Sequence, residues 1–347
     1  LLIFQAGSKM LHRDNIQIFR LPVLVALVAA LVITVTLSCS RTAPDAAKDG
    51  KAVDEAVRAT DAWPSHARPL YLMTPAEIDR YLKDLRANVP SPTARLNHIM
   101  LQYVGQGHRQ GIIGDFPFDL GPDDLPLFNV EESDCVSFVE STFAMALADS
   151  WRSYFVMLQR IRYRDGRVSW ETRNHFIEAD WQVSNGWMIR DVNRELGADL
   201  LVQYAFEVER DKFFRRNGRK NPFPPQRVRL SYFPADEMEK IIPRLKSGML
   251  FNMIRTNHTG KKWVGHLGFI HVDEEGEAFI VHSGIPTVRK IPFREYLETQ
   301  MKDRDKRIRE QKPYFEGFRF FEIRKDALER LRKIDGPRAP RLVITGK

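Results

Sequence analysis

Residues 132–140 constrain the rest of the chain most. They read Glu132, Ser133, Asp134, Cys135, Val136, Ser137, Phe138, Val139 and Glu140. Apolar positions at Val136, Val139, Phe143, Ala146 and Leu147 follow helical spacing. Ser133 or Asp134 stands where a helix is capped, because a side-chain oxygen there accepts from the free N–H groups of the first turn. The stretch predicts a buried helix with Cys135 in its first turn. Free amide N–H groups and the helix dipole favour a thiolate at that place, and the thiolate is the reactive form. A buried cysteine with a packing role fits the same stretch. Two histidines far downstream shift the balance towards chemistry.

The chain has 347 residues, enough for one large domain or two ordinary ones, and 43% hydrophobic residues with 22 Phe support a sizeable core. A formal net charge of +8 points to an anionic partner such as a cell-wall polymer or a membrane surface. The basic residues do not alternate with aromatics as a nucleic-acid site would need, so no nucleic-acid partner is expected. There are two cysteines, Cys39 and Cys135.

From Met10 onward the pattern is that of an export signal. Arg13 and Arg20 precede Leu21 to Leu37, which is apolar apart from Pro22, Thr34 and Thr36. Ser38 and Cys39 follow directly. A small residue before a cysteine, after an apolar run, resembles a bacterial lipoprotein signal, in which that cysteine is lipidated. Thr36 stands where such signals usually carry Leu. An uncleaved membrane anchor is the other reading, since the run reaches the lower limit for a spanning helix. Both export the chain and tether it to a membrane, facing the periplasm or the cell surface. With Cys39 committed there, Cys135 is left free.

Ser40 to Asp61 lacks apolar periodicity and reads as a flexible tether. Thr74, Pro75 and Glu77 form a helix start, followed by Ile78, Tyr81, Leu82 and Leu85. Further helices are expected over 95–104 and 151–161, with a Gly-, Pro- and Asp-rich loop over 111–130 between them. Residues 212–229, with Arg215, Arg216, Arg219, Lys220 and Arg227 among their basic residues and three prolines, read as a solvated basic loop. Strands are expected at 250–254, 264–272, 278–282 and 319–324, with a hairpin turn over 273–276. Alternation along 264–272 would place Val264, His266, Gly268, Ile270 and Val272 on one face. A charged helix is expected over 326–334. Helices first and a hairpin-rich antiparallel sheet afterwards is an α+β pattern.

His266 lies between Gly265 and Gly268 on one strand of that hairpin, and His282 ends the other. Small neighbours leave room for a substrate to approach. A thiol at a helix start, a strand histidine and a polar group on the next strand make a workable nucleophilic set. One imidazole moves protons and the second fixes its tautomer. Taken singly, each histidine reads as a satisfied strand residue, and His66, His98, His108, His258 and His271 are given that reading. Cys135, His266 and His282 suit zinc by ligand type. No close ligand pair of the usual spacing is present, so no metal and no cofactor is called for.

At these residues the chain resembles the NlpC/P60 superfamily, and more closely its N-acetylmuramoyl-L-alanine amidase-like branch, DUF1460. The resemblance rests on Asp134 to Glu140, on Gly265 to Phe269, and on Val281 to Gly284. Tyr163 to Gly166, His175, and Asp180 with Trp181 extend it, so that it spans roughly 74–324. Met249 follows Gly248 where the branch has Asp, and His108 aligns where it tends to have Tyr.

The resemblance implies a papain-like NlpC/P60 fold with helices packed on an antiparallel sheet, and peptidoglycan as the substrate. It implies a catalytic set of Cys135, His266 and His282, and cleavage of the bond between N-acetylmuramic acid and L-alanine. Arg173, His175 and Asp180 are candidates for binding the sugar or stem peptide, or else members of a buried polar network. The expected organisation is a membrane segment over 1–39, a tether over 40–62, a catalytic domain over 63–325, and a C-terminal helix and tail over 326–347. Two alternatives remain open at this point. One is an endopeptidase cutting after D-Glu of the stem peptide. The other is an inactive tethered wall-binding protein.

Overall fold

Thr74 opens the first helix of the described chain as its sequence requires. Its hydroxyl accepts from the Glu77 N–H at 3.3 Å, and the Glu77 carboxylate accepts from the Thr74 N–H at 2.6 Å. Such a reciprocal cap satisfies two otherwise unpaired donors and stabilises by about 1 kcal/mol. Helix α1 (Pro75–Asn88) buries the expected Ile78, Tyr81, Leu82 and Leu85. Helix α2 (Pro92–Gln102) starts earlier than expected because Ser91 caps it and Pro92 suits the first helical position. The structure, a computed structural model, describes residues 68–118 and 125–336. The apolar run 21–37, Cys39 and the tether 40–62 lie outside the described residues, all of which belong to one of two units in the chain.

Two short parallel strands, β1 (Gly107–His108) and β2 (Glu132–Ser133), bracket the long loop. Helix α3 (Cys135–Leu147) follows at once, and every residue from Ser137 to Leu147 is buried. Helix α4 (Trp151–Arg162) packs beside it, capped by Ser150. Then come β3 (Ile189–Asp191), β4 (Val202–Glu207), α5 (Arg210–Arg216) and β5 (Arg227–Pro234). The expected basic loop at 212–229 is therefore partly regular structure. Arg210 and Phe214 are buried on α5, and the Arg227 end of the segment pairs with β4.

The rest is sheet, interrupted by one long helix: β6 (Leu250–Thr256), β7 (Lys262–Val272), β8 (Ala278–Ser283), β9 (Val288–Pro292), α6 (Phe293–Arg309) and β10 (Tyr314–Ile323). Eight strands form one antiparallel sheet ordered β4-β5-β10-β6-β7-β8-β9, with β3 paired to β10. This is the expected mixed α+β class with helices against an antiparallel sheet.

Each face of the sheet has its own core. On one, Phe138 and Phe143 of α3 meet Phe269 of β7 edge to face, at 5.7 and 5.2 Å between ring centres. On the other, Phe293 and Tyr296 of α6 join Phe251, Met253, Ile270, Ile280, Phe318 and Phe320. The C-terminal helix α7 (Ala327–Asp335) buries Ala327 and Leu331, and Asp335 pairs with Arg160 at 3.4 Å.

One register differs from the expected alternation. Met253 lies opposite His266, whereas Ile254 lies opposite Val264, so Gly265 is an extra residue on β7. Such a bulge reverses the side-chain alternation across it. Val264 thus falls on the face opposite His266, Gly268 and Ile270.

Candidate active site

Asp134, not Ser133, caps α3. Its carboxylate accepts from the Ser137 N–H at 2.8 Å and from the Gly111 N–H at 3.3 Å. Cys135 thereby occupies the first helical position, as a free cysteine that is not fully buried. Pairing of β7 with β8 ends at Phe269 and Val281. Beyond that pair the backbone N–H of Leu267, with those of Cys135 and Val136, acts to favour the thiolate.

His266 and His282 are joined directly. Nε2 of His266 lies 2.8 Å from Nδ1 of His282, and the rings meet at 84°. The flanking glycines are what make this contact. A Cβ on residue 268 would fall 2.8 Å from the His282 Cβ, and one on residue 284 would fall 2.8 Å from its Cε1. A Cβ on residue 265 would strike Cδ of Arg255 at 2.5 Å. The room expected for substrate beside His266 is thus taken by His282 and Arg255.

Burial decides the charge states. It pushes the Cys135 thiol up to about 12, and the neighbouring Asp134 carboxylate adds to the effect. The three N–H groups act the other way without prevailing, so the resting group is a thiol, where the helix end alone suggested a thiolate. Burial holds His266 well below the usual histidine value, helped by His282 and Arg255. It lowers His282 to about 4, helped by Arg289. The resting set is neutral throughout.

His108, given only a structural reading above, sits at this centre. Its Nδ1 is 2.9 Å from the Ser283 hydroxyl. Ser283 in turn donates to the Ser133 carbonyl at 2.9 Å, and Ser133 donates to Gln106 at 2.6 Å. This buried chain of hydroxyls locks the residue two before Cys135 to the residue after His282. Tyr296 of α6 also reaches the site, with its ring 5.2 Å from that of His282. The sequence signals for these residues are slight: a histidine after Gly107, and a lone charge, Arg255, in an apolar strand.

The three candidate binding residues separate. Arg173 and His175 line a small cleft together with Gly111, Ile113, Asp134, Val136, Glu140, Arg162 and Asn174. Asp134 and Val136 flank Cys135 in the chain, so this cleft borders the start of α3. Arg173 donates to the Ile113 carbonyl at 2.8 Å, and His175 donates from Nε2 to the Trp170 carbonyl at 2.7 Å. Burial, then Arg173, lowers His175 to about 3. Glu140 and Arg162 pair at 2.7 Å in the same wall, and Trp181 donates to Glu140 at 3.1 Å. Asp180 is not in the cleft wall. Both its oxygens are held by Arg210, at 2.5 and 2.8 Å. Among the described residues, no three His, Cys, Asp or Glu side chains converge as metal ligands.

A free thiol at a helix start, a bonded pair of imidazoles on neighbouring strands and a polar cleft bordering that helix start are the kinds of group that nucleophilic acyl transfer uses. A family model described as N-acetylmuramoyl-L-alanine amidase-like matches residues 115–302, and the chain belongs to that family. Cys135, His266 and His282 all fall inside the match. A Legionella pneumophila protein of the DUF1460 family shares the fold, with a TM-score of 0.62 at 17% identity, over 72% of this chain and 94% of that one. A Bacteroides uniformis N-acetylmuramoyl-L-alanine amidase aligns with a TM-score of 0.50 at 19% identity, over 67% of this chain and 99% of that one. No curated protein matches the chain.

Proposed function

We propose that the protein is a cysteine-dependent peptidoglycan amidase of the papain-like NlpC/P60 type, which cuts the bond between N-acetylmuramic acid and L-alanine. The observation that supports this reading is the free Cys135 thiol at the first position of α3, where the amides of Cys135, Val136 and Leu267 favour its thiolate, together with the His266–His282 pair on β7 and β8. Membership of the amidase-like family supports the choice of bond.

In this reading His266 gives its Nε2–H to His282, which leaves Nδ1 to take the thiol proton. The sulfur attacks the lactyl carbonyl carbon, and backbone N–H groups at the start of α3 hold the oxyanion. His266 then passes its proton to the alanine nitrogen as the C–N bond breaks, leaving a muramoyl thioester. Water, deprotonated by His266, releases the free lactyl carboxylate and restores the thiol. A protonated His266 so strongly disfavoured by burial is an acid ready to give its proton to the leaving amine.

Arg173 and His175 are assigned to binding the sugar or stem peptide in the cleft bordering the start of α3. Cys39 is assigned as a lipidated residue that anchors the protein in the cell envelope. No helix among the described residues is long and apolar enough to cross a membrane. Metabolic labelling with a fatty-acid analogue tests the anchor, since Cys39→Ala should abolish the label.

The test of the activity is mass spectrometry of purified muropeptides after digestion, with Cys135→Ala as control. A new free lactyl carboxylate supports the amidase. A stem shortened after D-Glu makes the protein an endopeptidase, and no cleavage leaves it a wall-binding protein.

A further inference from the structure

Arg255 is a charged side chain beside His266 that the reaction above leaves unused. It enters from β6, opposite Trp263, and its stem runs across the bulged Gly265 next to His266. That crossing needs a glycine, since any Cβ there would overlap Cγ and Cδ of Arg255. Nε of Arg255 is buried without an acceptor. Among the described residues its side chain forms no hydrogen bond, and the carboxylate that it senses, Asp303, is already bonded to Arg307. Asp134, the carboxylate beside the thiol, is used as the cap of α3.

A guanidinium in this position costs desolvation and recovers no hydrogen bond from the described residues. Burial accordingly lowers its proton affinity, and Arg307 adds to this. The nearby Tyr296 points the same way. Its side chain is buried, and its ring lies 5.2 Å from that of His282. Its hydroxyl feels Arg255, Arg289 and Cys135 together. Arg289, exposed on β9 opposite His282, is a second cation facing both imidazoles. With the thiol and imidazoles neutral, the centre carries a surplus of positive charge. A planar guanidinium fork beside a hydroxyl matches a carboxylate.

We propose that Arg255 and the Tyr296 hydroxyl form a carboxylate-binding site that holds a free carboxylate of the peptide whose amide bond is cut. This deepens the reading of Cys135 and His266 as a muropeptide-cleaving pair, and rests on it for the choice of ligand. The nearest such group in a muramoyl peptide is the free α-carboxylate of the second residue, D-Glu, and the diamino acid at the third position offers another. The site would then select stems that carry this charge over stems in which it is amidated.

The test measures binding, so that it does not depend on turnover. Full-length protein carrying Cys135→Ala is titrated by calorimetry with two muramoyl dipeptides. Both have the D-Glu γ-carboxylate amidated, and they differ only in that the α-carboxylate is free in one and amidated in the other. Charge-assisted hydrogen bonds predict a preference of roughly 10–100-fold for the free acid. Adding Arg255→Gln should remove that preference, and adding Arg255→Lys should keep part of it. A muramoyl tripeptide with amidated D-Glu and a free diamino-acid carboxylate locates the source. If it binds as tightly as the acid dipeptide, and does so through Arg255, the third-residue carboxylate is the one held. Equal or absent binding of all three ligands overturns the site, and so does a preference that survives Arg255→Gln. Should Arg255→Gln melt at a much lower temperature than its parent, the Lys variant and the parent's own selectivity decide. If the wild-type protein cuts no muropeptide yet the preference is present, the amidase reading fails and the carboxylate site stands.

Discussion

His282 reaches His266, Nδ1 to Nε2 at 2.8 Å, across a residue that has no side chain. Gly268 lies beneath the His282 Cβ, and a methyl group there would sit 2.5 Å from the Val281 carbonyl and 2.7 Å from the Phe251 ring. Two of these three obstacles are backbone or core atoms, which do not swing aside. Gly268→Ala should therefore force β8 away from β7 and part the imidazoles. We expect a loss of about 1–3 kcal/mol of stability, typical of overpacking, and at least a tenfold fall in muropeptide cleavage. Thermal melting and the digest assay read the two effects separately. Wild-type activity in Gly268→Ala would mean that the contact between the histidines is dispensable.

The two imidazoles should be unequal. His266 is assigned the proton transfers, so His266→Ala should lose most activity, on the order of 10²–10⁴-fold. His282 only orients its partner. Asn at 282 still offers an acceptor for the His266 N–H, and His282→Asn should keep measurable cleavage. Equal inactivity of the two folded variants would reverse the roles.

The lowered His266 and the raised Cys135 set opposite limbs of the pH profile. A base whose protonation is disfavoured stays deprotonated in more acid solution, so kcat/KM should hold below the usual histidine value near 6.5. A thiol pushed up to about 12 is almost fully protonated at neutral pH. Alkylation of Cys135 in the absence of substrate should climb about tenfold per pH unit through pH 9, without the plateau of an ordinary thiol near 8.5. A plateau below pH 7 would reveal a preformed thiolate–imidazolium pair and contradict the neutral resting state.

Local signals survive into the fold and distant ones do not. The cap at Thr74 and Glu77, the cap at Asp134 and the short turn over 273–276 involve neighbours within a few residues, so they are visible in the chain. That is why the Cys135 helix start and the hairpin of His266 and His282 could be placed. The bulge at Gly265 could not, because it exists only relative to β6, and the alternation expected for Val264 failed there. Strands β4 and β5 were hidden for the same reason. The start of β5, Arg227 to Arg229, reads as the end of a basic loop until β4 and β10 supply partners for the strand, and β4 carries no signal of its own. Arg255 and Tyr296 come to the site from elements that do not adjoin Cys135 in sequence, and no spacing rule links them.

The buried histidines should make the protein acid-sensitive. A histidine whose folded value lies below its unfolded value binds protons more readily when unfolded. Stability is then unaffected above about pH 6.5 and falls as pH drops from there towards the folded value, by about 1.4 kcal/mol per unit for each such group. His282, at about 4, and His175, at about 3, both act over pH 6.5 to 4. Melting temperature should fall steeply across that range. In His175→Gln the fall should be shallower, because one of the groups is gone. An unchanged slope would show that His175 stays neutral in neither state or titrates alike in both.

Arg173 and Asp180, alike as candidates in sequence, should respond to mutation in different ways. Arg173 lines the cleft bordering the start of α3, and its guanidinium reaches Asp115 only at 3.8 Å. Arg173→Gln should raise KM for muropeptides several-fold with little change in melting temperature. Asp180 is almost completely buried and grips Arg210 with both oxygens, and the Phe176 N–H donates to it at 3.1 Å. Removing one partner of such a pair strands the other charge in the interior and costs about 3–5 kcal/mol. Asp180→Ala should thus lower stability sharply, and the fraction that stays folded should bind substrate as the wild type does. Replacing both partners, Asp180→Leu with Arg210→Met, should recover much of the loss, since no charge is then left unpaired. A normal melting temperature with a raised KM in Asp180→Ala would instead make Asp180 a binding residue.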